Sequence, residues 1–295
     1  MKRALITGIN GFTGRYMAHE LQQAGWEVWG MGSETTSTVT EHYRQANLVD
    51  AITLTEVVAE IRPHVVVHLA GVAFVAHSDA SAFYQVHILG TRNLLAAIAA
   101  SGQPPDCLLL ASSATVYGNS TEGVFSEASP LHPANDYAVS KLAMEYMART
   151  WMDQLPIVIA RPFNYTGVGQ SASFLLPKIV DTFRRQAPLI ELGNLDVSRD
   201  FSDVRAVATA YRRLLEVCPP GETVNVCSGQ ATSLQTVLAL AQDITGQTIE
   251  VRVNPAFVRT NEIKLLCGDA TKLRAIIGQW STPALPETLQ WMLQA

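Results

Sequence analysis

Short apolar runs alternate with longer segments of helical periodicity through the first part of the chain. The runs are Ala4 to Thr7, Glu27 to Met31, Val65 to Leu69, Leu108 to Ser112 and Ile157 to Ala160. The helical segments between them are Tyr16 to Ala24, Ala51 to Arg62, Ala80 to Ala100 and Asn135 to Gln154. Strands and helices that alternate at this spacing indicate a parallel sheet with right-handed crossovers. We therefore predict an α/β fold with a doubly wound parallel sheet.

The pattern changes after Arg161, where prolines and glycines divide the chain into short pieces. The dividing residues are Pro162, Gly167, Gly169, Pro177, Pro188 and Gly193. This portion predicts a smaller C-terminal lobe that lies over the carboxyl edge of the sheet. The predicted first domain is residues 1–165, rejoined by residues of about 200–228, and the lobe comprises residues 166–199 and 229–295.

Composition narrows the class of protein. The chain has 295 residues, of which 48% are hydrophobic and 16% charged, and its net charge is −5. These values describe a globular enzyme or binding protein, and no basic run indicates a nucleic-acid partner. The first residues, MKRALITG, are too short for a signal-peptide core, and no run reaches the length of a membrane helix, so we expect a cytoplasmic protein without membrane contact. Four widely spaced cysteines indicate neither a disulfide framework nor a metal site.

A glycine pattern follows the first predicted strand. Residues 8–14 read GINGFTG, a G-x-x-G-x-x-G between a strand and a helix. Glycine permits the tight turn and close backbone approach by which a pyrophosphate sits at a helix amino end, where free N–H groups favour an anion. The pattern predicts a dinucleotide site in a Rossmann-type sheet. The predicted contacts in it are Gly8, Asn10, Gly11, Phe12, Thr13 and Gly14.

The end of the second predicted strand bears on which dinucleotide binds. Folds that prefer NAD usually carry an acid there for the adenosine ribose. Residues 29–33 read WGMGS, without an aspartate. The missing acid removes a repulsion against a 2′-phosphate, and Ser33 or Arg15 could contact one. We predict a preference for NADP(H) over NAD(H).

A tyrosine and a lysine lie four residues apart at the start of the last helical segment. Residues 137–141 read YAVSK, and this spacing places Tyr137 and Lys141 on one helix face. The ammonium favours the phenolate, so we expect it to lower the phenol pKa from its usual value of about 10. In isolation the pair is more typical of an exposed helix surface than of an active site. Together with the glycine pattern and SSATVYG at 112–118, it predicts acid/base chemistry.

In these segments and several others, the chain resembles the extended short-chain dehydrogenase/reductases that act on nucleotide sugars. The resemblance runs from Leu5 to about Trp280. Besides the glycine pattern and Y-x-x-x-K, it rests on HLAG at 68–71, Gly90-Thr91 with Asn93, SSATVYG at 112–118, RPFN at 161–164 and RDF at 199–201. One departure is His87, at a position where the family usually has asparagine.

The resemblance implies roles for individual residues. Tyr137 is implied as the general acid or base, Lys141 as the residue that orients the cofactor ribose, and Ser113 as the hydrogen-bond partner of the substrate carbonyl. The cofactor contacts that it implies, beyond the glycine pattern, are Ser33, Asn47, Leu48, Leu69, Ala70, Gly71, Tyr137 and Lys141. No metal is implied.

The residues beside Ser113 separate the reactions of this family. Relatives that dehydrate sugars carry an acid pair directly after the serine or threonine, because removal of water needs an extra base and an extra acid. Ala114 and Thr115 occupy those positions here and transfer no proton usefully, which disfavours a dehydratase. A UDP- or dTDP-sugar 4-epimerase or 4-ketoreductase needs only the serine, tyrosine and lysine, so it stays open. A non-catalytic dinucleotide-binding scaffold is disfavoured because Tyr137 and Lys141 are both present.

Later segments resemble enzymes that handle GDP-sugars. In residues 258–269, VRTNEIKLLCGD, Arg259 suits a pyrophosphate and Glu262 suits ribose hydroxyls. Segments 161–170 and 193–204 are similar to reductases that convert GDP-4-keto-6-deoxy-D-mannose to GDP-D-rhamnose. The resemblance thus implies reduction of a 4-keto group by hydride from NAD(P)H. The substrate contacts that go with it are Ser113, Asn164, Lys178, Arg199, Arg259 and Glu262.

The resemblance also implies a homodimer, in which segments 80–100 and 135–154 pack against those of a second copy. Apolar positions in these segments are Leu94, Leu95, Ile98, Leu142, Tyr146 and Met147. The same positions could equally cover the chain's own sheet.

Overall fold

The structure is a computed structural model that describes residues 2–73, 79–118, 123–258 and 263–295. Its strands are β1 (Arg3–Thr7), β2 (Glu27–Gly32), β3 (Tyr43–Gln45), β4 (Val65–His68), β5 (Cys107–Ala111), β6 (Ile157–Pro162), β7 (Asn164–Thr166), β8 (Leu189–Leu192), β9 (Ser198–Asp203), β10 (Thr223–Val226), β11 (Ala231–Ser233), β12 (Glu250–Val253) and β13 (Leu265–Leu266). Its α-helices are α1 (Phe12–Gln23), α2 (Ala51–Ile61), α3 (Ala80–Tyr84), α4 (Thr91–Ala100), α5 (Asp136–Arg149), α6 (Leu175–Arg184), α7 (Val204–Val217), α8 (Leu234–Thr245), α9 (Thr271–Ile277) and α10 (Leu285–Gln294).

Seven parallel strands form the main sheet, in the order β10-β6-β5-β4-β1-β2-β3. Alternate residues of β1 face opposite layers of the core, with Ala4 and Ile6 in one hydrophobic cluster and Leu5 in the other. Burial of both faces explains why these strands read as continuous apolar runs. Strands β2 and β3 lie on one side of β1, and β4, β5, β6 and β10 lie on its other side, so the strand order reverses between β1 and β4. Ligands of such sheets bind at this point, at the carboxyl ends of the strands. The prediction of a doubly wound parallel sheet is confirmed.

The later part of the chain forms two smaller sheets. Strand β9 pairs in parallel with β7 and β13 and antiparallel with β11, while β8 pairs in parallel with β12. Helices α6, α8 and α10 bury a separate apolar cluster that includes Ile179, Val237 and Leu289. Helix α7 packs against α1, and β10 joins the edge of the main sheet beside β6.

Several elements differ from their predicted bounds. Helix α1 begins at Phe12 instead of Tyr16. It starts directly after the Gly11 turn, whereas the helical spacing of apolar residues that gave the prediction becomes visible only further along the chain. The segment 80–100 is helical throughout, but residues Gln85–Gly90 form a π-helical turn between α3 and α4. Helix α5 ends at Arg149, five residues early. The edge strand β3 was not predicted, because Tyr43–Gln45 contains no apolar run.

The apolar positions named for a dimer have different environments. Leu94, Leu95 and Ile98 are fully buried in the chain's own core, so they cannot contact a second copy. Leu142 and Met147 are partly buried against the chain's own clusters. Tyr146 has 60% of its surface exposed. Within the described residues, no helix combines the length and the apolar character that crossing a membrane requires.

Candidate active site

The glycine loop packs too tightly for side chains at two of its positions. Gly8 has a φ of 70°, and a Cβ on it would lie 2.8 Å from the Cα of Ala70. A Cβ on Gly14 would lie 2.4 Å from the Gly8 carbonyl oxygen. Gly11 caps α1 without a side chain, so the first N–H groups of the helix stay available. This cradle suits a pyrophosphate, and the buried Asn10 Oδ1, which has no hydrogen-bond partner within the described residues, lies beside it.

The loop after β2 contains an acid that the sequence prediction missed. A Cβ on Gly32 would lie 2.7 Å from Glu34 Oε2, so this carboxylate folds back over the strand end. Ser33 is next to it, and its carbonyl accepts a hydrogen bond from Gln45. Arg15 Nε donates to the Asn10 carbonyl at 3.0 Å, and Asn10 Nδ2 donates to the Thr36 carbonyl at 3.0 Å. The predicted adenosine end of the site therefore has a cation, Arg15, and an anion, Glu34.

The remaining predicted cofactor residues follow the carboxyl ends of β3 and β4. The Leu48 carbonyl accepts a hydrogen bond from Asn93 at 3.1 Å, and the Asn47 side chain accepts one from the Val49 N–H at 3.2 Å. Both bonds order the turn before α2. Leu69, Ala70 and Gly71 follow β4. A Cβ on Gly71 would lie 3.6 Å from Lys141 Nζ, which connects the glycine-loop side of the crevice to the predicted catalytic residues.

Three predicted residues converge at the carboxyl end of β5. Helix α5 begins after Asn135, whose side chain accepts from the Ala138 N–H at 2.9 Å and so fixes the first turn. This turn presents Tyr137 beside Ser113, whose hydroxyl acts on the pKa of the phenol. One turn later, Lys141 Nζ donates to the Ala111 carbonyl at 2.9 Å. The structure thus brings Ser113, Tyr137 and Lys141 together.

The ionisation of Tyr137 differs from the sequence expectation. Burial raises the pKa of its phenol to about 12, and the neighbouring Ser113 hydroxyl only partly opposes this effect. The Lys141 ammonium, which was expected to lower the pKa, does not contribute to the shift, so the predicted direction is wrong. The phenol is consequently protonated at neutral pH, which is the form that a general acid requires.

Thr115 has a structural role that its position in the sequence did not indicate. Its backbone N–H and its Oγ1–H both donate to Ser113 Oγ, at 3.2 and 2.9 Å. Because these bonds occupy the lone pairs of Ser113 Oγ, the Ser113 proton is left to donate toward Tyr137 or a substrate oxygen. Thr115 carries no proton-transfer group, yet it orients the serine.

Two buried histidines face Lys141. Burial and the nearby ammonium lower the pKa of His68 to about 3 and that of His87 to about 2, so both rings are neutral. His87 Nε2 accepts from the Val72 N–H at 3.1 Å, which assigns the ring proton to Nδ1, and Nδ1 donates to Ser140 Oγ at 2.9 Å. His87 therefore links the segment after β4 to α5, and the departure from asparagine preserves a buried hydrogen-bonding side chain.

Tyr165 is a second residue that the prediction missed. Its hydroxyl lies 2.8 Å from Thr13 Oγ1, and its ring stacks on Phe12 with centroids 6.1 Å apart. Tyr165 also adds to the rise in the pKa of the Tyr137 phenol. Tyr165 follows Asn164 in RPFNYTG, and this adjacency was the available signal.

The predicted substrate residues are spread over the C-terminal elements. Asn164 is exposed on β7. Lys178 donates to the Glu191 carbonyl at 2.6 Å and lies 4.3 Å from the centre of the Phe257 ring. Arg199 donates to the carbonyls of Ser198 and Lys264, at 2.9 and 3.4 Å. Arg259 and Glu262 lie outside the described residues. Over the part of the chain that the structure describes, no cluster of His, Cys, Asp and Glu could hold a metal ion.

Comparison with known families decides the assignment of the chain. The family model described as GDP-mannose 4,6 dehydratase matches residues 5–292. The chain belongs to this family. The resemblance to extended short-chain dehydrogenase/reductases is thereby confirmed, and the family assignment covers both the main sheet and the C-terminal elements.

Individual relatives of the family extend this finding. GDP-6-deoxy-D-mannose reductase of Pseudomonas aeruginosa is 34% identical over 99% of this chain and 96% of its own. GDP-6-deoxy-D-talose 4-dehydrogenase of Aggregatibacter actinomycetemcomitans is 32% identical over 94% and 91%. The solved structure of RMD from P. aeruginosa complexed with NADPH has a TM-score of 0.85 at 32% identity, covering 100% and 98%. A Burkholderia cenocepacia structure, described provisionally as an epimerase, has a TM-score of 0.94 at 52% identity, covering 99% and 97%.

Proposed function

We propose that the protein reduces the 4-keto group of GDP-4-keto-6-deoxy-D-mannose to give GDP-D-rhamnose. The observation that carries this proposal is the convergence of Ser113, Tyr137 and Lys141 beside the glycine loop, with no acid or base at positions 114 and 115. Such a site can complete a hydride transfer at a carbonyl, but it lacks the groups that remove water from a sugar. The names of the two curated relatives support the GDP-sugar and the oxidoreduction.

The side chains act on the carbonyl oxygen of the sugar. The cofactor, once bound, supplies the hydride as reduced nicotinamide. Ser113 Oγ–H donates a hydrogen bond to O4 as negative charge develops there, and Tyr137 Oη donates its proton to the same oxygen. The Lys141 ammonium, on the same helix face as Tyr137, stabilises the phenolate that remains. Thr115 keeps the serine proton directed toward the reacting oxygen.

We assign the GDP part of the substrate to the C-terminal elements. Lys178 and Arg199 contact the residues on either side of segment 259–262. This placement supports a role for Lys178 and Arg199 at the phosphates, together with Arg259. We assign Glu262 to the ribose hydroxyls and Asn164, on β7, to a further contact with the sugar nucleotide. The substrate then lies between a dinucleotide-binding domain of residues 1–165 and about 200–228 and a lobe of residues 166–199 and 229–295.

An absorbance assay of cofactor oxidation tests the proposal. Purified protein is mixed with NADPH or NADH and with GDP-, dTDP- and UDP-linked 4-keto sugars. Oxidation is expected with GDP-4-keto-6-deoxy-D-mannose and at least tenfold slower with the other nucleotides, a ratio within reach of a binding site that pairs with the base. If the GDP-sugar gives no oxidation while UDP-sugars are interconverted, a 4-epimerase replaces this proposal. That alternative is favoured by the Burkholderia relative, since the same three residues suffice for it.

For the cofactor, we propose NADP(H) in preference to NAD(H). The P. aeruginosa structure in complex with NADPH supports this choice, as does the exposed Arg15 near the loop after β2. Glu34 opposes it, because its carboxylate lies at the strand end and repels a 2′-phosphate. We therefore expect the Glu34 carboxylate to reduce the ratio by which the protein prefers NADPH to NADH.

Substitution of that side chain gives a measurable prediction. Glu34→Gln should raise kcat/KM for NADPH about fivefold, which corresponds to ~1 kcal/mol of repulsion between solvent-exposed charges. The value for NADH should change by less than twofold. Steady-state kinetics with both cofactors provide the measurement, and Glu41→Gln, in the same exposed loop, is the matched control. An equal change for NADH and NADPH would show that Glu34 does not face the 2′ position.

We also propose a homodimer, formed through the outer face of α5 and the adjoining π-helical turn. Leu89, Val139 and Tyr146 expose 53%, 39% and 60% of their surface there. Val139 and Tyr146 are seven residues apart, hence on one face of the helix. For the location we propose the cytoplasm, where reducing conditions keep its four free cysteines as thiols; fractionation of the cells tests this proposal.

The dimer has its own test. Light scattering should give the mass of two chains for the natural protein and of one chain for Tyr146→Asp at micromolar concentration, because a buried carboxylate at the interface lacks a partner. Val217→Asp, at an exposed apolar position on α7, should remain dimeric. A natural protein with the mass of one chain contradicts the proposal.

A further inference from the structure

Three side chains of helix α5, spaced four residues apart, contact the end of β5. Tyr137 lies beside Ser113, Lys141 Nζ donates to the Ala111 carbonyl at 2.9 Å, and Glu145 accepts from Ser112 Oγ at 2.5 Å. Residues four apart share one helix face. Each of three successive strand-end residues is thus held by one residue of α5, and Glu145 is the member that the proposed reaction does not use.

Glu145 is itself held by a buried arginine. Arg161 Nε and Nη2 donate to its two carboxylate oxygens, at 2.9 and 2.6 Å, and both side chains are almost fully buried. The third nitrogen, Arg161 Nη1, donates to Tyr117 Oη at 3.0 Å. Tyr117 lies in the turn that follows Ser113. The catalytic serine is therefore flanked in sequence by Ser112 and Tyr117, both tied to the same ion pair.

We propose that Glu145, held by Arg161, is a positioning residue that fixes the Ser113 hydroxyl and the Lys141 amine relative to the Tyr137 phenol. The proposal rests on the reductase function proposed above. Glu145 touches neither sugar nor cofactor in this scheme and acts only through Ser112 and through its charge. A bidentate arginine restricts a carboxylate more than water does, so the strand end is held in one geometry.

The charge of Glu145 acts on Lys141. Burial lowers the pKa of Lys141 to about 8, and Glu145 opposes the effect of burial. The other titratable groups facing the amine are His68, His87 and Tyr137, which are neutral at pH 7. Replacement of Glu145 by a neutral side chain removes the carboxylate that opposes the effect of burial on Lys141. The neutral amine should then predominate at a lower pH than in the natural protein.

Glu145→Gln is the informative variant, because the amide keeps the shape and most of the hydrogen bonds. Its kcat with GDP-4-keto-6-deoxy-D-mannose should fall at least tenfold while KM changes by less than threefold, as expected for misplaced reacting groups. Competitive labelling with acetic anhydride, read by mass spectrometry, gives the pH at which Lys141 reaches half of its maximal rate of acetylation. This pH should fall by about one unit. Ser112→Ala should lower kcat without moving the Lys141 titration.

The chain offers a close control. Asp203 is a buried carboxylate that accepts hydrogen bonds from Arg205 and from Thr288 Oγ1, the same chemistry at a distance from β5. Asp203→Asn should cost similar stability but leave kcat within twofold and the Lys141 titration unchanged.

The outcomes separate this proposal from the reductase function. A folded Glu145→Gln protein with natural kcat and an unmoved Lys141 titration overturns it, as does an equal loss of kcat in Asp203→Asn. If Glu145→Gln does not fold, Ser112→Ala with natural kcat overturns it, and Ser112→Ala with lowered kcat upholds it. The Lys141 titration needs no sugar turnover. A shifted titration in a protein that reduces no GDP-sugar therefore upholds the positioning role and refutes the function.

Discussion

Replacement of Tyr137 by phenylalanine is expected to lower kcat by about 10² to 10⁴, the range that positioned proton donors contribute. The ring keeps its contacts with Phe83 and His87, at centroid distances of 5.7 and 5.6 Å, so the crevice retains its shape. Only the proton donor to O4 is lost. Titration of NADPH by fluorescence should give a Kd within about twofold of the natural value, since the glycine loop is untouched.

A second tyrosine provides the control for this experiment. Tyr84 lies on α3 and donates to Asp136 at the start of α5, outside the crevice. Tyr84→Phe should keep kcat within twofold. Turnover that survives in Tyr137→Phe would refute the assigned proton donor, and loss of NADPH binding in the same variant would mean that the phenol serves the cofactor instead.

Replacement of Arg161 by methionine should lower the free energy of unfolding by about 3–5 kcal/mol, because it leaves the Glu145 carboxylate buried and unpaired. The Tyr117 hydroxyl also loses its donor. Urea denaturation followed by circular dichroism measures the loss. The double variant Arg161→Met with Glu145→Leu should recover most of it, since apolar residues can replace a buried ion pair at little net cost.

The exposed pair Arg44–Glu60 is the contrasting case. Its side chains are 38% and 49% exposed, so Arg44→Met should cost less than about 1 kcal/mol. A single Arg161→Met variant as stable as the natural protein would show that the buried pair has no stabilising role and would also weaken the case for Glu145 as an anchor.

The sequence predicted the features that depend on local pattern. Strands β1, β4 and β5 are buried on both faces, so they appear as apolar runs. The glycine loop has a positive φ and a close approach that only glycine permits. Tyr137 and Lys141 meet because four residues make one helical turn. In each case the physical constraint acts within a few residues.

Features that depend on distant contacts were not predicted. Glu34 lies one residue beyond residues 29–33, where folds that prefer NAD carry their acid, and its carboxylate is placed by a backward fold of the loop. Glu145 reads as an ordinary polar helix residue, because its partner Arg161 belongs to another strand. The predicted direction of the shift in the Tyr137 pKa was wrong, because the burial of this residue depends on elements packed around it.

Transfer of deuterium from NADPH labelled at the reactive C4 position tests the central claim most directly. With GDP-4-keto-6-deoxy-D-mannose in a single turnover, mass spectrometry and NMR should locate one deuterium at C4 of the product sugar for each NADPH oxidised. The Tyr137→Phe protein should show this transfer slowed by the same factor as its kcat. A product without deuterium at C4, or a 4-epimerised sugar formed with no net loss of NADPH, would contradict the assignment of this chain as a 4-ketoreductase.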